Sequence, residues 1–279
     1  MMQRRNYRDG ALRHHWSTVD GRRIYARVSQ AGDASGASVV FVHGLALSSR
    51  SMVRTLARLG PTCTGYALDL PGFGRSAKPP HILDVAQSAD VLAAWLDANG
   101  LADVTLVGHS YGCQVVVDCA VRHAERVGGI ALLSPTMDRA ARTAPRQIAR
   151  WLRETPREMS MGPVLLADTW DAGTRRVIAT FRDALTDRIE EKLPHVRMPA
   201  LVIRGAHDPI VPQRWAEEVT RLLPLGRLTV VPETAHSMNY TAPDRFVRVL
   251  LPFVHGRCAD IPTMGGHIGL VDGMHTVCE

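Results

Sequence analysis

Short, unbroken apolar runs recur along the chain and alternate with longer stretches of helical period. The runs at residues 38–42, 65–70, 104–107, 130–133, 200–203 and 228–231 carry no polar face, as a strand buried on both sides of a sheet requires. Amphipathic stretches at 85–98, 114–122, 215–223 and 245–253 predict helices between and after them. Such alternation implies crossover connections and a mainly parallel sheet. Ahead of these runs, residues 14–19 and 22–28 flank Asp20-Gly21, a dipeptide that accepts the positive φ angles of a tight hairpin turn. The pattern predicts an α/β fold with a mainly parallel sheet flanked by helices.

The rhythm lapses between residues 135 and 194. That stretch is helix-like and rich in Arg, Met and Trp, with Pro145, Pro156, Gly162 and Pro163 as punctuation and no strand-like run. It predicts a helical insertion between two strands, dividing the core into residues 12–134 and 195–257. Residues 258–279, with Gly265-Gly266, show no clear period and read as a peripheral tail.

Candidate chemistry gathers where strands end. Gly108-His109-Ser110-Tyr111-Gly112 follows the run 104–107 and opens the helix at 114–122, so a G-x-S-x-G pentapeptide has a strand before it and a helix after it. Glycines at both ends allow a tight, strained turn that lifts the Ser110 hydroxyl above the carboxyl edge of the sheet. A serine hydroxyl is a poor nucleophile until a base takes its proton. His236 follows the run 228–231 and Asp208 the run 200–203, so both fall at the same edge as Ser110, in the order serine, acid, histidine. Asp138, past the run 130–133, is the alternative acid. Stabilising a developing oxyanion needs two aimed N–H groups. Tyr111, next to Ser110, offers one, and Leu45 in His43-Gly44-Leu45-Ala46 offers the other. His43 and His109 read as structural braces at this edge.

Composition narrows the classes. With 279 residues, 46% of them hydrophobic, the chain can bury a real core without disulfides or a structural metal. No apolar run reaches membrane-spanning length, and the basic N-terminus has no secretory apolar stretch behind it. The five cysteines show no paired spacing, so reduced thiols and a cytoplasmic location are expected. A net charge of +6 suggests nucleic acid, but only Lys78 and Lys192 are lysines, and an arginine-biased composition explains the sign. Aromatic residues, at 5%, are too few for a base-stacking surface. Scattered histidines lack ligand spacing and no phosphate-cradling loop opens a helix, so neither metal, cofactor nor nucleic acid is expected. The oligomeric state has no signature in the sequence.

Phe41-Val42-His43-Gly44, the segment Asp69-Leu70-Pro71-Gly72-Phe73-Gly74-Arg75-Ser76, the Ser110 turn, Gly205-Ala206-His207-Asp208 and Ala235-His236 together resemble the α/β-hydrolase superfamily, in its cap-bearing bacterial branch. The resemblance covers residues 16–253. It implies an eight-stranded sheet, a helical cap after the sixth strand at residues 135–194, and a Ser110–His236–Asp208 triad that needs no cofactor. It also narrows the reaction. Dehalogenases and epoxide hydrolases of the superfamily carry an aspartate where Ser110 stands. Carbon–carbon hydrolases of the meta-cleavage type usually carry a tryptophan soon after the histidine, where this chain has Ser237-Met238-Asn239-Tyr240. A small-molecule carboxylic ester is therefore the expected substrate, with Met137, Trp151, Trp170, Phe181 and Met238 as candidate pocket walls. The other readings are carbon–carbon hydrolysis, thioester or acyl-transfer chemistry on a carrier-bound substrate, and a ligand sensor without turnover. For the carrier reading, Arg139, Arg142, Arg146, Arg150, Arg153 and Arg157 recur at helical spacing and suggest a docking strip.

Overall fold

The computed structural model describes residues 12–29, 37–59 and 63–256, and the backbone of residues 267–271 and 274–278. Most of the basic N-terminus, Cys258 and Gly265-Gly266 lie outside the described residues. The strands are β1 (Arg13–Val19), β2 (Arg22–Val28), β3 (Ala37–Val42), β4 (Cys63–Leu68), β5 (Val104–His109), β6 (Val127–Leu133), β7 (Ala200–Gly205) and β8 (Gly226–Val231). β1 and β2 form the expected hairpin, with Asp20 at φ 48° and Gly21 at φ 74°. From β4 through β3, β5, β6 and β7 to β8 every pairing is parallel, and β2 joins antiparallel to β4. The tail departs from its aperiodic reading. Strands β9 (His267–Val271) and β10 (Met274–Cys278) pair antiparallel with each other, and β10 pairs with β8, widening the sheet to ten strands.

Helices α1 (Val53–Leu56), α2 (Val85–Ala98) and α3 (Tyr111–Arg122) belong to the first half of the chain. Between β6 and β7 come α4 (Ala144–Glu154), α5 (Gly162–Ala172), α6 (Thr174–Thr186) and α7 (Ile189–Lys192). Then follow α8 (Gln213–Leu222), α9 (Met238–Thr241) and α10 (Pro243–His255). None of the described helices is long and apolar enough to cross a membrane. Alternating strand residues feed two separate cores. Val40, Val42, Ile130, Leu132 and Val202 pack towards α2, α3 and α8. Val39, Phe41, Ala131, Leu133 and Ile203 pack towards α1 and α10. The unbroken apolar runs of the sequence are thus two period-two faces superimposed, each buried by its own helices.

The insertion is fastened to the core by charge as well as by packing. Asp138, fully buried, accepts from Arg150 on α4 at 2.7 Å and from Arg214 on α8 at 2.5 Å, besides the Ala140 amide at 3.0 Å. Burial alone would raise its pKa, but the two arginines and the amide hold it below the ordinary carboxylate value. Asp168 on α5 is equally buried and accepts from Ser48 at 2.8 Å and Arg50 at 2.7 Å in the loop beyond β3. The suggested arginine strip is divided by such pairings. Arg139, Arg142 and Arg150 are committed to Glu218, Glu190 and Asp138, while Arg146, Arg153 and Arg157 face outward.

Trp215 of α8 is fully buried, and its indole N–H donates to the Pro135 carbonyl at 2.9 Å, where the insertion begins. Trp215→Ala is expected to cost about 3–5 kcal/mol in urea unfolding through the cavity it leaves. Trp215→Phe keeps most of the volume and is expected to lose only about 1–2 kcal/mol, largely from the missing hydrogen bond.

Candidate active site

The turn between β5 and α3 is strained at Ser110, whose backbone sits at φ 54° and ψ −118°. That conformation is unfavourable for any residue with a side chain, and it persists because the surroundings leave no other path. A Cβ on Gly108 would lie 2.6 Å from the Gly112 carbonyl oxygen, and one on Gly112 would lie 2.4 Å from the Val42 carbonyl oxygen. Both contacts are with backbone, so neither can be relieved by a side-chain movement. The Ser110 amide donates to the Leu133 carbonyl at 2.9 Å, tying the turn to β6. Its side chain is thereby held above the sheet edge, at the N-terminus of α3.

The loop after β3 packs against this turn at Gly44, where a Cβ would stand 3.3 Å from the Ser110 Cβ. His43 braces the loop: its Nδ1–H donates to the Gly44 carbonyl at 2.9 Å and its Nε2 accepts from the Leu70 amide at 3.2 Å. Burial lowers its pKa, so the ring is neutral, as both bonds require. Asp69 braces the next loop by accepting from the Ser49 amide at 2.6 Å and the Arg75 amide at 2.8 Å, which gives the Asp69–Ser76 segment a structural role. Tyr111 is the first residue of α3, where an amide has no partner within the helix. Leu45, whose amide makes no backbone hydrogen bond among the described residues, lines the same cavity as Tyr111.

His236 is held on every side. Its Nδ1–H donates to Asp208 Oδ2 at 2.9 Å. Its carbonyl accepts from Ser134 Oγ at 3.1 Å and from His109 Nε2 at 3.3 Å. Its own amide donates to Glu154 Oε1 at 2.8 Å. Asp208 is fixed in turn by the Ile210 and Val211 amides, which donate to Oδ1 at 2.8 and 3.0 Å. Burial acts against charge on both partners, yet the pair wins: Asp208 is lowered by the His236 charge, and His236 is raised by Asp208, with Glu158 and Glu154 adding to it. His109 goes the other way, down to about 3, because burial and the neighbouring His236 charge both disfavour its cation. Asp138, the alternative acid, is occupied by Arg150 and Arg214, and it is Asp208 that bonds His236 Nδ1.

Ser110 and His236 line one cavity of about 600 Å³, as do Leu45 and Tyr111. No hydrogen bond joins Ser110 to His236 among the described residues; such bonds commonly tighten only when substrate arrives. Met137, Trp151 and Phe181 line the cavity, Trp151 about half exposed. Two expected wall residues are elsewhere. Trp170 is 85% exposed on the outer side of α5 and outside the cavity, and Met238 is fully buried in the core facing α1 and α10. Two carboxylates that the sequence reading passed over, Glu154 and Glu158, also line the cavity. The spacing of Gln147, Trp151 and Glu154 puts those three on one face of α4 and was a signal for Glu154, whereas Glu158 lies beyond the end of that helix. Among the described residues no group of three His, Cys, Asp or Glu side chains could hold a metal ion.

The chain matches the alpha/beta hydrolase family over residues 39–249 and belongs to it. A pimeloyl-[acyl-carrier protein] methyl ester esterase of Vibrio vulnificus is 24% identical over 251 residues, spanning 78% of this chain and 94% of its own. The dihydrolipoyllysine-residue acetyltransferase component of an acetoin cleaving system in Cupriavidus necator is 36% identical over 128 residues, 46% of this chain, which spans only 33% of that protein. Among solved structures, an esterase from Rhodococcus superposes with a TM-score of 0.70 at 25% identity, covering 88% of this chain and 99% of the other.

The close approach at Gly112 gives a direct test of the strained turn. Gly112→Ala is expected to destabilise by about 1–3 kcal/mol or to fail to fold, since only backbone could yield. Gly162→Ala, whose added Cβ would meet nothing within 4 Å, is the control and should leave the melting temperature nearly unchanged.

Proposed function

We propose that the protein is a serine hydrolase that cleaves small to medium carboxylic esters through an acyl-enzyme on Ser110. One observation carries this reading. A serine held on a strained turn and a histidine bonded to a buried aspartate open into the same largely apolar cavity. Ser110 Oγ attacks the ester carbonyl while its proton passes to His236 Nε2, and the Leu45 and Tyr111 amides receive the oxyanion. His236 then gives that proton to the leaving alkoxide, and the C–O bond breaks to leave the acyl-enzyme. A water molecule, deprotonated by His236, attacks the acyl carbonyl; collapse releases the acid and returns the proton to Ser110. Asp208 holds the ring in the tautomer that leaves Nε2 free and stabilises the imidazolium.

The helical insertion, α4 to α7, serves as a cap over Ser110. With Met137, Trp151 and Phe181 in its walls, a cavity of this size encloses an acyl chain of up to about eight carbons. The Rhodococcus and Vibrio likenesses support ester chemistry. The Vibrio relative also supports a second reading, an ester presented on a carrier protein, for which Arg146, Arg153 and Arg157 remain outward.

Turnover of p-nitrophenyl esters, lactones, thioesters, a carrier-bound methyl ester and vinylogous 1,5-diketones by the purified protein tests the reading. Short-chain esters are expected to be cleaved best, and the diketones poorly; a meta-cleavage product preferred over every ester would overturn the assignment. Ser110→Ala is expected to fold normally and lose about 10⁴–10⁶ in kcat, as removal of a triad nucleophile does elsewhere. A second comparison separates the two acids. Asp208→Asn is expected to abolish most turnover with modest loss of stability, whereas Asp138→Asn lowers the unfolding midpoint and spares kcat.

A further inference from the structure

Glu154 closes α4 and Glu158 follows on the next turn, and both reach away from the insertion towards the loop beyond β8. Glu154 Oε1 accepts from the His236 amide at 2.8 Å. Glu158 accepts from the Ser237 amide, and from Ser237 Oγ at 2.8 Å. Two successive backbone N–H groups at the base of the mechanism are therefore satisfied by carboxylates from the cap.

Packing does not ask for this. Glu154 is 1% exposed, and its Oε2 has no hydrogen-bond partner among the described residues. A carboxylate buried with one oxygen unmatched is costly, and an uncharged side chain would fill the same space. The charge has a use at the neighbouring ring. Moving the Ser110 proton to His236 creates an imidazolium, which nearby anions stabilise in a site that excludes water. The ionisable groups around that ring are Asp208 beyond β7, Glu154 and Glu158 of the cap, and His109 at the end of β5. Burial, helped by the Glu158 charge, lifts Glu154 itself to about 7 against the hydrogen bond from the His236 amide.

We propose that Glu154, seconded by Glu158, is a positioning residue through which the cap sets the place and the basicity of His236. The proposal rests on the assignment of His236 as the base acting on Ser110. It makes the cap part of the proton-transfer machinery as well as a wall for substrate: only with α4 seated against the loop beyond β8 does His236 have its amide partner and its full complement of anions. Glu154 and His236 then titrate as a coupled pair.

Glu154→Gln keeps the acceptor and removes the charge, while Glu154→Ala removes both. The rate at which a fluorophosphonate labels Ser110, and kcat for a short p-nitrophenyl ester, are followed across pH for both variants and for Glu158→Gln. In the wild type the acidic limb should be broader than a single proton gives. In Glu154→Gln the limb should move to lower pH, because a ring with fewer anions about it loses its proton more readily. The plateau should fall about tenfold with KM unchanged, as a tenfold weaker hold on the transferred proton implies. Glu154→Ala should lose about a further tenfold as the loop loses its anchor. Glu158→Gln should shift the limb in the same direction and serves if Glu154→Ala fails to fold.

Histidine-ring NMR reads the His236 proton without turnover and separates the two ways of failing. A wild type that no fluorophosphonate labels would sink the serine-hydrolase reading, and the His236 titration would still show whether removing the Glu154 charge lowers its pKa. Labelling in the wild type, with the acidic limb and ring titration of Glu154→Gln both in the wild-type position, would overturn the role proposed for Glu154.

Discussion

Everything at the carboxyl edge of the sheet depends on how closely α3 can approach β3. Gly112 brings the first turn of that helix onto the Val42 carbonyl, at a distance where no Cβ fits. The approach compresses the turn between β5 and α3 and leaves Ser110 in its positive-φ conformation. The same contact places the loop carrying Gly44 and Leu45 beside the serine. A single steric condition therefore sets both the conformation of Ser110 and the nearness of the Gly44 loop to it. The parallel arrangement of β5, β7 and β8 does the rest by ending three strands on the same edge.

Three buried histidines share this edge, and their partners alone distinguish them. His43 bonds a carbonyl and an amide, a pairing that only the neutral ring can make. His109 meets a carbonyl and another histidine, so burial holds it uncharged. His236 meets a carboxylate held in place by two backbone amides, and its affinity for a proton rises although it is as buried as the others. Depth in the protein is common to all three; the charge facing each ring decides its chemistry.

The six strands β3 to β8 were legible because a strand covered on both faces has to be apolar at every position, and the β1–β2 hairpin was legible from its Asp20-Gly21 turn. Ser110, Asp208 and His236 were legible because each follows such a strand. Met238 was not: it lies two residues beyond His236, but the short turn of α9 carries it into the core facing α1 and α10. Trp170 misled because a large apolar side chain in the insertion does not reveal whether it faces the cavity or solvent. Glu154 and Glu158 sit among Arg153 and Arg157 and read as ordinary solvated charge; only the fold shows that their partners are backbone amides 82 and 79 residues further along. The tail offered no period to read, and its strands are specified by pairing with β8 rather than by their own pattern.

The contact between α4 and the loop beyond β8 bears on how such a protein diversifies. An excursion that enters and leaves the sheet between two adjacent strands is a natural cassette: its exchange by recombination leaves the framework untouched and brings a new specificity. Here the cassette carries an obligation. A replacement that fills the same space without acceptors for the His236 and Ser237 amides would inherit an intact framework with an unanchored His236 loop. Chimeras in this lineage should therefore preserve two acceptors at the end of the first inserted helix even where the rest of the excursion is unrelated, and that pair is a mark by which compatible donors can be chosen.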